Sequence, residues 1–202
     1  MTRKRPCPLP GSTNLRTAVA SLILAVALIA HHAYEYGALA NDLSKFFGSY
    51  VGQATVEDLI TGEQQERDLD ITVVPYRRHG LRVDWITVGL VDGRRDVPGV
   101  KRWSQTAIFE PENGKDFLVE VGRSDVFRER QATVPIKGDP VRWTRVDGNT
   151  LHTCSFMVLE DGRYELQLYQ RILTDIGMDI RFERIVDGEL IRRVTGTTAR
   201  AG

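Results

Sequence analysis

Residues 150–195 read TLHTCSFMVLEDGRYELQLYQRILTDIGMDIRFERIVDGELIRRVT, and the fold is decided there. Runs rich in β-branched and aromatic residues are cut by Asp161-Gly162 and Asp187-Gly188. Such dipeptides reach the positive φ of a tight hairpin turn at little cost. In the run 163–173, Tyr164, Leu166, Leu168 and Ile172 fall on one side, while Arg163, Glu165, Gln167 and Arg171 fall on the other. This is the period of two of a half-buried strand, with the oily side expected to face inward. The preceding run, 150–160, is apolar on both sides, so its register against the next strand is open. A two-residue turn sets Glu160 opposite Arg163 and Met157 opposite Leu166; a three-residue turn with a bulge sets Phe156 opposite Leu166. The first is favoured, because it places opposite charges together beside the turn.

The same punctuation extends toward the N-terminus through His79-Gly80, Asp92-Gly93, Asn113-Gly114, Lys137-Gly138 and Asp147-Gly148. The runs between these turns give candidate strands at 49–58, 66–76, 81–90, 101–110, 116–121, 140–146, 150–160, 163–173, 178–186 and 189–199. Strands in sequential hairpins predict an all-β domain, a single antiparallel up-and-down β-barrel of about eight to ten strands, since closure removes exposed edges. A β-sandwich is the runner-up. Leu43 to Phe47 reads as a short helical turn closing one end, and Arg123 to Pro135 as the longest loop.

Residues 1–40 read differently. Arg3, Lys4, Arg5 and Arg16 form a positive leader, Thr17 to Ala30 is uncharged and apolar, and Ala38 and Ala40 are the small residues of a signal-peptidase site. An apolar run of about 14 residues covers about 21 Å, short of the roughly 30 Å hydrocarbon core. The expectation is therefore a signal peptide or N-terminal membrane anchor at 1–40 and a barrel at 41–202, exported to the periplasm. In the alternative the barrel stays anchored to the inner membrane and lies outside the cytoplasm. Formal charge is zero, from 27 basic and 27 acidic side chains, which disfavours nucleic acid as a partner. Without the leader Cys154 is the only cysteine, so no internal disulfide is expected. A monomer is expected, touching a membrane only through its N-terminal segment.

Around Asp187-Gly188, Ile180, Phe182 and Arg184 share a face that should point inward, because the other face carries Arg181 and Glu183. A two-residue turn adds Ile191, Arg193 and Thr195 to it; a three-residue turn adds Leu190, Arg192 and Val194. Either way Arg184 and one further arginine lie on the apolar side. A buried guanidinium is costly unless it meets an anion or an internal carboxylate, and a small acidic ligand would meet that need through the planar fork. The plainer reading puts these arginines at the barrel mouth with their heads in water. Trp85 and Tyr164 are further candidates for the cavity wall, with core packing as the plainer reading. Asp68, Asp70 and Asp84 read as a solvated face or as internal partners for the arginines. His79 and His152 lack ligand-spaced neighbours, so no metal is expected, and no cofactor is implied.

Phe47-Gly48-Ser49-Tyr50 leading into Val51-Gly52 is similar to the Gly-x-Trp start of a lipocalin first strand, with tyrosine in the aromatic position. The basic segment Ile191-Arg192-Arg193 would supply the arginine that packs over that aromatic. On these residues the chain resembles the calycin barrels, which include lipocalins and fatty-acid-binding proteins, and exported bacterial proteins of this broad shape. The resemblance implies a small hydrophobic or amphipathic ligand held inside the barrel. Two other classes compete with such a binder: an envelope structural or protein-interaction module with a filled interior, and a cofactor-free isomerase or cyclase-like enzyme. A binder or enzyme needs an internal cavity ending in arginine, and an enzyme also needs a carboxylate within reach of it.

Overall fold

The computed structural model describes residues 42–112, 115–121 and 134–202. The leader with Ala38 and Ala40, the Asn113-Gly114 turn and residues 122–133 of the long connection lie outside them.

Ten strands follow in chain order: β1 (Gly48–Asp58), β2 (Gln64–Tyr76), β3 (Gly80–Gly89), β4 (Arg102–Pro111), β5 (Leu118–Glu120), β6 (Val141–Asp147), β7 (Thr150–Val158), β8 (Tyr164–Leu173), β9 (Gly177–Val186) and β10 (Glu189–Ala201). Each pairs antiparallel with the next, and β10 returns to β1, so the sheet closes as an up-and-down barrel. The closing ladder runs from Ser49 opposite Ala201 to Asp58 opposite Arg192. It gives backbone partners to two strands that would otherwise be edges. Close approach here depends on Gly196, where a Cβ would meet the Ala54 Cβ and the Gln53 carbonyl oxygen at 2.6 Å.

One end of the barrel is filled. Leu43, Phe46, Tyr50, Phe109, Leu118 and Leu151 are each at most 2% exposed. Burying a side chain of this size contributes roughly 1.5 to 3 kcal/mol. A helical turn at 42–44 presses Leu43 and Phe46 into that end. The Tyr50 hydroxyl donates to the Phe46 carbonyl (3.0 Å), while Arg200 Nη2 donates to the Tyr50 hydroxyl (2.7 Å) and to the Lys45 carbonyl (2.9 Å). The guanidinium over the Tyr50 ring is therefore that of Arg200, at 5.2 Å, and not one from Ile191-Arg192-Arg193. Antiparallel pairing explains the correction: it brings Arg200 opposite Tyr50 and sends Arg192 to Asp58 at the far end of β1.

Two hairpins decide which side chains face inward. Between β7 and β8 the favoured two-residue register is wrong. Leu159 N–H donates to the Arg163 carbonyl (2.7 Å) across a three-residue turn, with Phe156 opposite Leu166 and Met157 opposite Glu165. Asp161 explains it by accepting both the Arg163 backbone N–H (3.1 Å) and its guanidinium (2.8 Å), while Gly162 takes φ 85°. Between β9 and β10 a two-residue turn does form, with Asp187 and Gly188 at φ 53° and 87°. A bulge between Leu190 and Arg192 then shifts the register. As a result Arg192 and Val194, the set foreseen for the longer turn, face inward with Arg184 and Phe182.

Candidate ligand cavity

Beyond the filled end the barrel is hollow. The cavity measures about 490 Å³, within the roughly 300 to 1,000 Å³ of small-molecule sites. Ala54, Leu69, Ile71, Ile180 and Val194 form apolar walls. Three aromatic rings meet across the interior: Trp85 of β3 lies 6.1 Å from Tyr169 of β8, and Tyr169 lies 4.6 Å from Phe182 of β9, centroid to centroid.

Arg171 lies at the floor. Its strand neighbours in the sheet are Leu151 and Ile180, both buried in the core cluster. The side chain is 4% exposed, and its Nη1 makes one long hydrogen bond, 3.4 Å to the Thr153 hydroxyl. The guanidinium stands 5.6 Å from both the Trp85 and the Tyr169 ring centroids, in cation–π range. Among the described residues no carboxylate forms an ion pair with it. Burial accordingly lowers the Arg171 pKa to about 10, the Tyr169 hydroxyl opposing the shift. At neutral pH the group remains charged.

Nearer the mouth the polar inner face of β8 is satisfied from within. Tyr169 Oη donates to Gln167 Oε1 (2.7 Å), Gln167 Nε2 donates to Glu165 Oε1 (2.5 Å), and Arg184 Nη2 donates to Glu165 Oε2 (2.6 Å). Glu165 is 1% exposed. Burial raises the Tyr169 pKa, so its phenol stays neutral and able to donate. A carboxylate in a cavity is what acid–base chemistry requires, but here both oxygens are already engaged. A second internal pair joins Arg142 of β6 to Glu120 of β5 at 2.9 Å. Arg67, its guanidinium 4.6 Å from the Trp103 ring, and Arg192, 3.4 Å from Asp58, complete the rim.

Of the residues chosen from sequence, Arg184, Arg192, Phe182 and Trp85 line this cavity. Two do not. Arg193 points outward toward Glu57 (3.6 Å) and Glu183 (4.0 Å). Tyr164 is 39% exposed on the outer face, its ring stacked on Phe156, because the β7–β8 register turns that whole row outward. Asp68 and Asp70 also lie outside, each 3.3 Å from Arg95. The reading from sequence missed Arg171, Glu165 and Tyr169. A signal existed: with Ile180 placed inward, its antiparallel partner across the turn at 174–176 must share its face, and that partner is Arg171.

The chain matches no protein-family profile and no curated protein sequence. Solved structures of similar shape include an S-type phycobiliprotein lyase from Guillardia theta, 7% identical, covering 79% of this chain and 90% of that one with a TM-score of 0.33.

Proposed function

We propose that this chain is an exported, calycin-like barrel that holds a small amphipathic acid. The acid group sits against Arg171, and the apolar body lies among Trp85, Tyr169 and Phe182. One observation carries the reading: a guanidinium 4% exposed at the floor of a hollow barrel, without a carboxylate of its own among the described residues. An ionised group so placed is costly, and an incoming carboxylate would offset that cost through charge-assisted hydrogen bonds. An envelope module with a filled interior has no use for this arrangement. Export rests on the leader at 1–40, and cell fractionation that left the full-length chain in the cytoplasm would remove it.

The test is native mass spectrometry of protein taken from its own host's envelope, followed by titration with 8-anilinonaphthalene-1-sulfonate, an anionic aromatic probe. An acidic species retained by the wild type and lost from Arg171→Gln is expected, together with weaker binding of the probe. An empty barrel that ignores the probe overturns the reading.

A further inference from the structure

The rim carries a second set of cations, separate from Arg171. Arg184 of β9 and Arg192 of β10 are direct cross-strand partners on the inner face, their Cα atoms about 5 Å apart. Like charges so placed repel. Each guanidinium is held on one side only: Nη2 of Arg184 by Glu165 (2.6 Å), Nη2 of Arg192 by Asp58 (3.4 Å). The Nε–H groups of both are buried and have no hydrogen-bond partner among the described residues. Arg67 adds a third cation close by; burial, and then the charge of Arg192, lower its pKa. Among the described residues, two carboxylates form ion pairs with these three guanidiniums.

Arg171 stands apart from this set along β8. The Arg184 head is drawn to Glu165, six residues from Arg171 along β8, which is about 20 Å of strand. Two cationic stations separated by apolar and aromatic walls match a rod with a charge at each end.

We infer that the ligand is a diacid, with one carboxylate on Arg171 at the floor and the other received by the free Nε–H edges of Arg184 and Arg192 at the mouth. This rests on the reading of Arg171 given above. The guanidinium permits it, since Glu165 and Asp58 bond Nη2 alone and the Nε–H of each arginine is left for a second acceptor.

Dodecanedioate, its monomethyl ester and dodecanoate distinguish the cases by calorimetric titration. The diacid should bind the wild type about tenfold more tightly than the ester, the worth of one charge-assisted contact. That preference should vanish in Arg192→Gln and in the pair Glu165→Gln with Arg184→Gln, which removes cation and carboxylate together; thermal melts check that both stay folded. Equal binding of diacid and ester by the wild type overturns the diacid and leaves the acid-binding reading standing. Failure of all three probes, with Arg171→Gln indistinguishable from wild type, overturns both.

Discussion

At the scale of single residues, Arg171 works against the stability of the empty protein. Its pKa is lowered to about 10 by burial, so the folded state releases this proton more readily than the unfolded chain does. The destabilisation is fully present below pH 10 and is relieved only as pH climbs from there toward the ordinary arginine range. Replacing Arg171 with methionine should therefore stabilise the ligand-free barrel at neutral pH, by about 1 to 3 kcal/mol, while abolishing capture of the anionic probe. Urea unfolding of both forms checks the first half and a probe titration the second. A variant that is less stable and still binds would mean that Arg171 serves the fold and not a ligand.

Among the elements, β8 shows where periodicity is a sufficient guide and where it is not. Alternation located the strand, and the Asp-Gly dipeptides located both of its neighbouring hairpins, because turn chemistry is local. Which face points inward is not local. It was assigned on the rule that oily rows are buried, whereas Glu165, Gln167, Tyr169 and Arg171 face the cavity and Tyr164, Leu166 and Leu168 face out. The rule fails because this half of the barrel encloses a space instead of a close-packed core, so polar groups there need only partners, not exclusion. Ten strands and their closure were legible; the bulge between Leu190 and Arg192 was not, since its effect on register imitates that of a longer turn. The Glu165–Arg184 pair gives this element its own prediction. Arg184→Ala alone leaves a carboxylate 1% exposed without its cation, and should cost about 3 to 5 kcal/mol. Adding Glu165→Gln should recover most of that loss in a double-mutant cycle, and simple additivity of the two changes would refute the coupling.

Across the whole molecule, the filled end and the hollow end should answer differently to the same kind of substitution. Leu151 is fully buried in the core cluster, and Leu151→Ala should cost about 2 to 5 kcal/mol. Met157 lies on the same strand toward the mouth and faces the cavity. Its truncation enlarges a space that already exists, so Met157→Ala should cost less than about 1 kcal/mol, a difference that chemical denaturation resolves. Equal losses at the two sites would mean that the mouth is as tightly filled as the other end. The β1–β10 ladder also makes the order in which the strands are strung a matter of convenience. With Arg200 bonded to the Lys45 carbonyl, a linker could join the end of β10 to the helical turn at 42–44, keeping Leu43 and Phe46 in place, and new termini could be opened at Asp187-Gly188. Such a circularly permuted chain would keep every neighbour relation between strands, and would carry its free ends beside the mouth, where a reporter fused to them could sense occupancy.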